Sequence, residues 1–153
     1  MILIYTKGMD EMEYTLKNVT EADKMFIYQL KKKSNFKYVD KIWGWDEEYQ
    51  VKDFASDFNI EDFKLIQSEG VAIGFIQTNE NVDNINITEI HIIDDYQGKG
   101  IGSDIIQNIL DTGKRVTLGC FKDNVAARKL YERLGFKVIK QTTTHYMLEC
   151  LSK

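Results

Sequence analysis

The run Asp94–Leu110, DDYQGKGIGSDIIQNIL, places three glycines at alternate positions, Gly98, Gly100 and Gly102, directly before an apolar helical pattern. Glycine lets a backbone turn sharply and approach a ligand closely, and a helix start presents unpaired N–H groups at a positive dipole end. Together they make a seat for an anion. Two familiar patterns do not fit. A G-x-x-x-x-G-K-[ST] loop counted from Gly98 needs its second glycine at Ser103, and no Lys-Ser or Lys-Thr follows. A G-x-G-x-x-G dinucleotide fingerprint fails because the third glycine, Gly102, comes one place early. It also belongs near the start of a βαβ fold, not after several antiparallel strands.

Ahead of the run, residues 13–19 alternate as a strand. Thr20 and Asp23 form a capping box for a helix with Met25, Phe26, Ile27 and Leu30 as its stripe. Gly44 breaks that pattern, and a second helix begins near Asp46 with acids in its first turn. FKLIQSEGVAIGFIQTN reads as a hairpin about Ser68-Glu69-Gly70, and NINITEIHII as a strand ending near Ile93. Behind the run lies a helix over residues 101–112, with Ile101, Ile105, Ile109 and Leu110 on its apolar face and Gly113 as its cap. The strand RVTLGCF follows, then a helix with Ala127, Leu130 and Leu134 on one face and Gly135 as its stop. FKVIKQ and THYMLECL close the chain as strands. Antiparallel strands come first and strand–helix–strand units later. This order predicts an α/β (α+β) fold with a single mixed, mainly antiparallel sheet of about six to seven strands and about four helices. Residues 1–153 read as one domain, with 1–11 as an N-terminal extension or leading strand.

Apolar residues make up 43% of the 153, enough for a core. No run approaches the roughly 20 apolar residues of a membrane helix, and the N-terminus is a poor secretion signal. Net charge is −4, but residues 97–140 hold nine Lys/Arg against four Asp/Glu, so that segment is +5 and the remainder −9. An acidic chain with one basic segment suits a small polyanion better than nucleic acid. Two cysteines, Cys120 and Cys150, read as buried reduced thiols of a cytoplasmic protein. They and two histidines are too few for a disulfide framework or a metal site.

The run also reads as Q-x-x-G-x-G, Gln97-Gly98-Lys99-Gly100-Ile101-Gly102. NVAARKLYERLGF, Asn124–Phe136, lies about 22 residues beyond it. The pair resembles the GNAT N-acetyltransferase superfamily from about Met12 to the end of the chain. That resemblance implies that the amides from Gln97 to Ser103 (Gln97, Gly98, Lys99, Gly100, Ile101, Gly102, Ser103) hold the pyrophosphate of acetyl-CoA. Lys99 is either a phosphate contact or a solvated side chain. The strand ending at residue 93 and the strand at 116–121 are expected to splay. Pantetheine would then bond to the free edge around Ile92 and to Asn124, which also fits a helix cap. Family members often carry proline where this chain has Asp94.

Acetyl transfer needs a neutral amine, and an amine of pKa about 10.4 costs roughly 4–5 kcal/mol to deprotonate at pH 7. By the resemblance, Tyr131 is the acid that protonates the departing sulfur. Glu89 is the base candidate on the strand bordering the acceptor, with His91 as its alternative. Alternation puts Glu89, His91 and Ile93 on one side and Ile90 and Ile92 on the other, unless a bulge intervenes. Trp43 and Trp45, beside acids 46–48, either line a pocket for a cationic acceptor or anchor the loop. The resemblance thus implies an acetyl-CoA-dependent N-acetyltransferase with a small-molecule or peptide amine as partner, no membrane partner and a homodimer as an option. A catalytically silent acyl-CoA-binding or regulatory module of the same fold is the alternative.

Overall fold

Eight strands join in one sheet in the computed structural model, which describes the backbone of Leu3–Tyr5 and residues 13–151. In chain order the elements are β1 (Leu3–Tyr5), β2 (Tyr14–Asn18), α1 (Lys24–Trp43), α2 (Glu47–Asp57), β3 (Phe63–Ser68), β4 (Val71–Glu80), β5 (Asn84–Ile92), α3 (Ile101–Leu110), β6 (Arg115–Phe121), α4 (Val125–Arg133), β7 (Lys137–Gln141) and β8 (His145–Cys150). The sheet order is β1-β2-β3-β4-β5-β6-β8-β7. Among the described residues β5 and β6 form its one parallel pair. The expected sheet and four helices are present, and β1, within the segment anticipated as an extension or leading strand, adds the eighth strand. The rest of residues 1–11 lies outside the described residues.

Each sheet face has its own core. Ile66, Ile73, Ile85, Ile87, Val116 and Leu148 meet the stripe of α3 on one face, where Ile101, Ile105 and Ile106 are buried. On the other, Leu65 and Phe75 meet Ile27, Leu30 and Phe54 of α1 and α2. Both faces of β3 and β4 are therefore covered, and both strands read as apolar runs rather than strict alternations.

Three local expectations change. Met25 is 68% exposed, and the stripe of α1 is built from Ile27, Tyr28 and Leu30. As expected, Gly44, at φ 80°, is where the helix breaks. α3 is capped by Asp111, while Gly113 turns the chain two residues later. Cys120 is buried as expected, but Cys150 is only half-buried.

Two irregularities prepare the site. β5 and β6 pair only from Asn84↔Arg115 to Ile87↔Leu118. Beyond that, β5 follows β4 as far as Ile92 and β6 follows β8 as far as Phe121, which opens a gap between them. Along β4 the pairing steps from Gln77↔Glu89 to Thr78↔Ile87, which leaves Thr88 as a bulge. The extra residue reverses the alternation. Ile85 and Ile87 before it and Ile90 and Ile92 after it all pack on the α3 side. Glu89 and His91 turn toward α1 and α2.

Candidate active site

The glycine run folds as expected from its composition. A short 3-10 turn, Asp94–Tyr96, leads into Gly98 (φ 74°) and Gly100 (φ 82°), and α3 starts at Ile101. The first amide of this stretch to find a helical partner is that of Asp104, bonded to Gly100 O at 3.0 Å. Among the described residues no backbone acceptor meets the amides of Gly98 through Ser103. They form a row of donors at a helix start, where an anion is favoured.

Gln97 fastens this row to the sheet: its Nε2 donates to Ile92 O at 2.7 Å. Ile93 N bonds to Ile73 O on β4 at 2.8 Å, so by alternation the backbone groups of Ile92 point the other way, into the gap between β5 and β6. A chain with amide groups could bond there as an added strand. Asp94, in the place of the family's proline, receives Lys33 Nζ of α1 at 3.0 Å. Asn124 caps α4 by accepting from Ala127 N at 3.2 Å.

Tyr131 lies on α4 among the residues of the α3-side core, with its ring 6.0 Å from that of Phe136. Burial, and secondarily the neighbouring Cys120, push its phenol up to about 12, so it stays protonated and able to donate across the physiological range.

Glu89 sits on the opposite face at the start of the gap. Its Oε1 accepts from Asn35 Nδ2 at 3.0 Å and lies 3.3 Å from His91 Nε2, and its Oε2 lies 3.3 Å from Lys31 Nζ. Burial alone would raise this carboxyl. The His91 hydrogen bond, the Lys31 and His91 charges and the Asn35 hydrogen bond outweigh it and hold Glu89 below the usual carboxylate range. Beside it opens a cavity of about 270 Å³, walled by Phe54, Phe58 and Phe63 and floored by Thr88, Glu89 and Lys31. Lys31 and Asn35 were missed in the sequence. Their signal was polar residues continuing the Ile27 stripe of α1 at helical spacing.

Trp43 and Trp45 line neither this cavity nor a smaller one of about 90 Å³ beside Tyr38 and Phe121. Trp43 is 63% exposed at the end of α1. Trp45 is half-buried: its Nε1 donates to Glu47 Oε2 at 2.8 Å, its ring centroid lies 5.2 Å from that of Phe36, and Lys32 Nζ lies 5.9 Å from its ring. Glu47 also receives Tyr28 OH at 2.9 Å and Lys32 Nζ at 2.9 Å. Hydrogen bonds from Lys32, Trp45 and Tyr28, in that order, hold its carboxyl at about 2.

Among the described residues no group of three His, Cys, Asp or Glu side chains could hold a metal, and no helix is long and apolar enough to cross a membrane. The chain matches the acetyltransferase (GNAT) family over residues 25–136 and belongs to it. It is 25% identical over 142 residues to an uncharacterized N-acetyltransferase of Methanocaldococcus jannaschii, which covers 81% of this chain and 61% of that protein. It is 31% identical over 86 residues to N-alpha-acetyltransferase 40 of Saccharomyces cerevisiae, across 48% of this chain and 30% of the yeast protein. The match thus spans less than two thirds of the length of either relative. The fold is shared with the PaiA N-acetyltransferase of Thermoplasma acidophilum in complex with coenzyme A. That similarity has a TM-score of 0.70 at 16% identity, covering 92% of this chain and 99% of that one.

Proposed function

We propose that this chain moves the acetyl group of acetyl-CoA to a primary amine by direct attack in a ternary complex. The observation that carries the reading is the row of unpaired amides from Gly98 to Ser103, set against the gap between β5 and β6. A diphosphate fits the row by charge and by donor count. A pantetheine arm fits the gap, where the backbone of Ile92 faces it and Asn124 stands at the start of α4. Gln97 positions the loop, Lys99 adds positive charge beside it, and Ile101 begins the helix whose dipole completes the seat.

Glu89 takes the proton that the amine nitrogen sheds as it bonds to the acyl carbon, and Tyr131 donates a proton to the sulfur as it departs. These roles require the two groups to hold opposite protonation states at neutral pH. That is the direction in which their surroundings push them. Trp43 offers an exposed aromatic face to the outer part of the acceptor, and Trp45 holds the loop that carries it.

The chain is read as a single N-acetyltransferase domain over 1–153, acting alone or as a homodimer on a small-molecule or peptide amine. A cytoplasmic setting accords with the two free cysteines. Similarity to a yeast N-alpha-acetyltransferase makes a peptide α-amine the first acceptor to assay. The test is a calorimetric titration with acetyl-CoA, followed by thiol release in the presence of peptides, polyamines and amino acids. Saturable binding together with amine-dependent thiol release is expected. Absence of binding overturns the reading, and binding without release on any amine limits it to a CoA-binding module.

A further inference from the structure

Lys31 occupies an unusual place for a lysine. It lines the 270 Å³ cavity, with its ammonium 3.3 Å from Glu89 Oε2 and 5.8 Å from the centre of the Phe54 ring. Carboxylate and aromatic face are the two partners that a bound ammonium ligand would seek. Both are already taken by a residue of the chain itself. The second carboxylate oxygen is engaged by Asn35 and His91.

We propose that this cavity seats the acceptor's terminal amine, and that Lys31 is a positioning residue that makes the cavity accept the neutral amine and refuse the ammonium. The proposal rests on the acetyltransferase reading for its purpose but not for its test. The physical basis is direct. A second cation beside Glu89 meets the repulsion of Lys31 with both Glu89 oxygens already engaged, whereas a neutral amine there meets apolar walls and no such penalty. The charged groups facing the cavity come from three elements. β5 contributes Glu89 with His91 beside it, and α1 contributes Lys31. α2 contributes Asp57, an exposed carboxylate at the rim. Inside the rim the Lys31 and Glu89 charges cancel.

The size of the space sets the ligand class. At about 270 Å³ it falls below the roughly 300–1,000 Å³ of pockets that enclose whole drug-sized molecules. It therefore suits an amine at the end of an unbranched chain or a single residue.

The probe is n-butylamine, titrated without acetyl-CoA while the ring protons of Phe54, Phe58 and Phe63 are followed by NMR between pH 7 and 9. In the unaltered protein the apparent affinity should rise about tenfold per pH unit, tracking the neutral fraction of an amine of pKa about 10.4. Lys31→Met exposes the Glu89 carboxylate to the ligand. It should bind the ammonium at pH 7 at least about tenfold more tightly, with little change up to pH 9. Lys31→Arg keeps the cation and should retain the rising profile. A flat profile in the unaltered protein, or Lys31→Met tracking it at every pH, overturns the proposal. Loss of acetyl-CoA binding with the amine profiles intact would instead remove the acetyltransferase reading and leave the cavity's selectivity standing.

Discussion

Replacing Gly74 by alanine tests whether the backbone around Ile92 is held as tightly as the site requires. Gly74 pairs with Ile92 across β4 and β5, and its backbone conformation is one that any residue adopts. The constraint is space. A Cβ there would stand 2.4 Å from the carbonyl oxygen of His91, and 3.2 Å from both Ile66 Cδ1 and the Cα of Ile92. The nearest obstacle is backbone, so no rotamer change relieves it. β4 and β5 must part by on the order of 0.8 Å to restore ordinary contact. Overpacking of this kind costs about 1–3 kcal/mol, and loosening a ladder bond adds roughly 0.5–1.5 kcal/mol. A total of about 2–4 kcal/mol corresponds to a fall in Tm of roughly 5–15 °C for a chain of this length. Gly98→Ala is the comparison. There φ is 74° and nothing lies within 4 Å, so only conformational strain of about 1–2 kcal/mol applies. Thermal unfolding of the two variants beside the parent, together with acetyl-CoA calorimetry, separates the effects. Gly74→Ala should lose more stability. Gly98→Ala should lose less stability but more of its affinity relative to that loss, since it acts on the amide row itself. A Gly74→Ala protein that melts within 2 °C of the parent would refute the claim of backbone contact.

Tyr131→Phe should lower turnover by about 100-fold with little change in acetyl-CoA affinity, measured by steady-state thiol release and calorimetry. Unchanged turnover would take Tyr131 out of the acid role. The same variant should resist alkali better. A phenol raised to about 12 by burial stays protonated in the folded chain while the unfolded chain ionises near 10. Parental stability is therefore lost as pH climbs from about 10 to 12, by on the order of 2 kcal/mol, and Tyr131→Phe should lack that loss in denaturant titrations across this range. Glu89→Gln should reduce kcat by about 100-fold or more while leaving acetyl-CoA binding intact. It should also flatten acid unfolding. A carboxylate depressed in the folded state stabilises above its unfolded pKa and loses that contribution as pH falls through the folded value. The stability gap between parent and variant should thus close below about pH 4.5, and a gap independent of pH would refute the pairing.

Elements with a strong period or a chemical boundary were legible in the sequence. α3 shows its stripe in Ile101 and Ile105, and α2 shows its start in Asp46, whose side chain accepts from Tyr49 N. α1 was legible only in part, because its buried stripe turns polar after Leu30. A helix that lies over a charged site carries Lys31 and Asn35 where apolar residues would otherwise mark its course. Met25 misled for the reason that a single apolar residue at a helix start is free to face solvent. The residues of the glycine run were adjacent in sequence and so were read together. The cluster around Glu89 was not, since Asn35 and Glu89 are 54 residues apart and only the packing of α1 on the sheet joins them.

The Thr88 bulge is what makes one strand serve both halves of the proposed reaction. In an unbroken alternation, the parity that buries Ile85 and Ile87 on the α3 side would bury Glu89 and His91 there as well. It would also turn Ile90 and Ile92 toward α1. A carboxylate would then face the apolar core with no partner, at a cost of several kcal/mol. One additional residue reverses this. Isoleucines line the core on both sides of Thr88, Glu89 meets Asn35, Lys31 and His91, and the cavity opens at the bulge itself. The gap to β6 begins at the same level, because pairing ends at Ile87↔Leu118, one residue before Thr88. An acyl group held in that gap and an amine held in the cavity would thus approach from opposite faces of the sheet, at the level where its regular ladder stops.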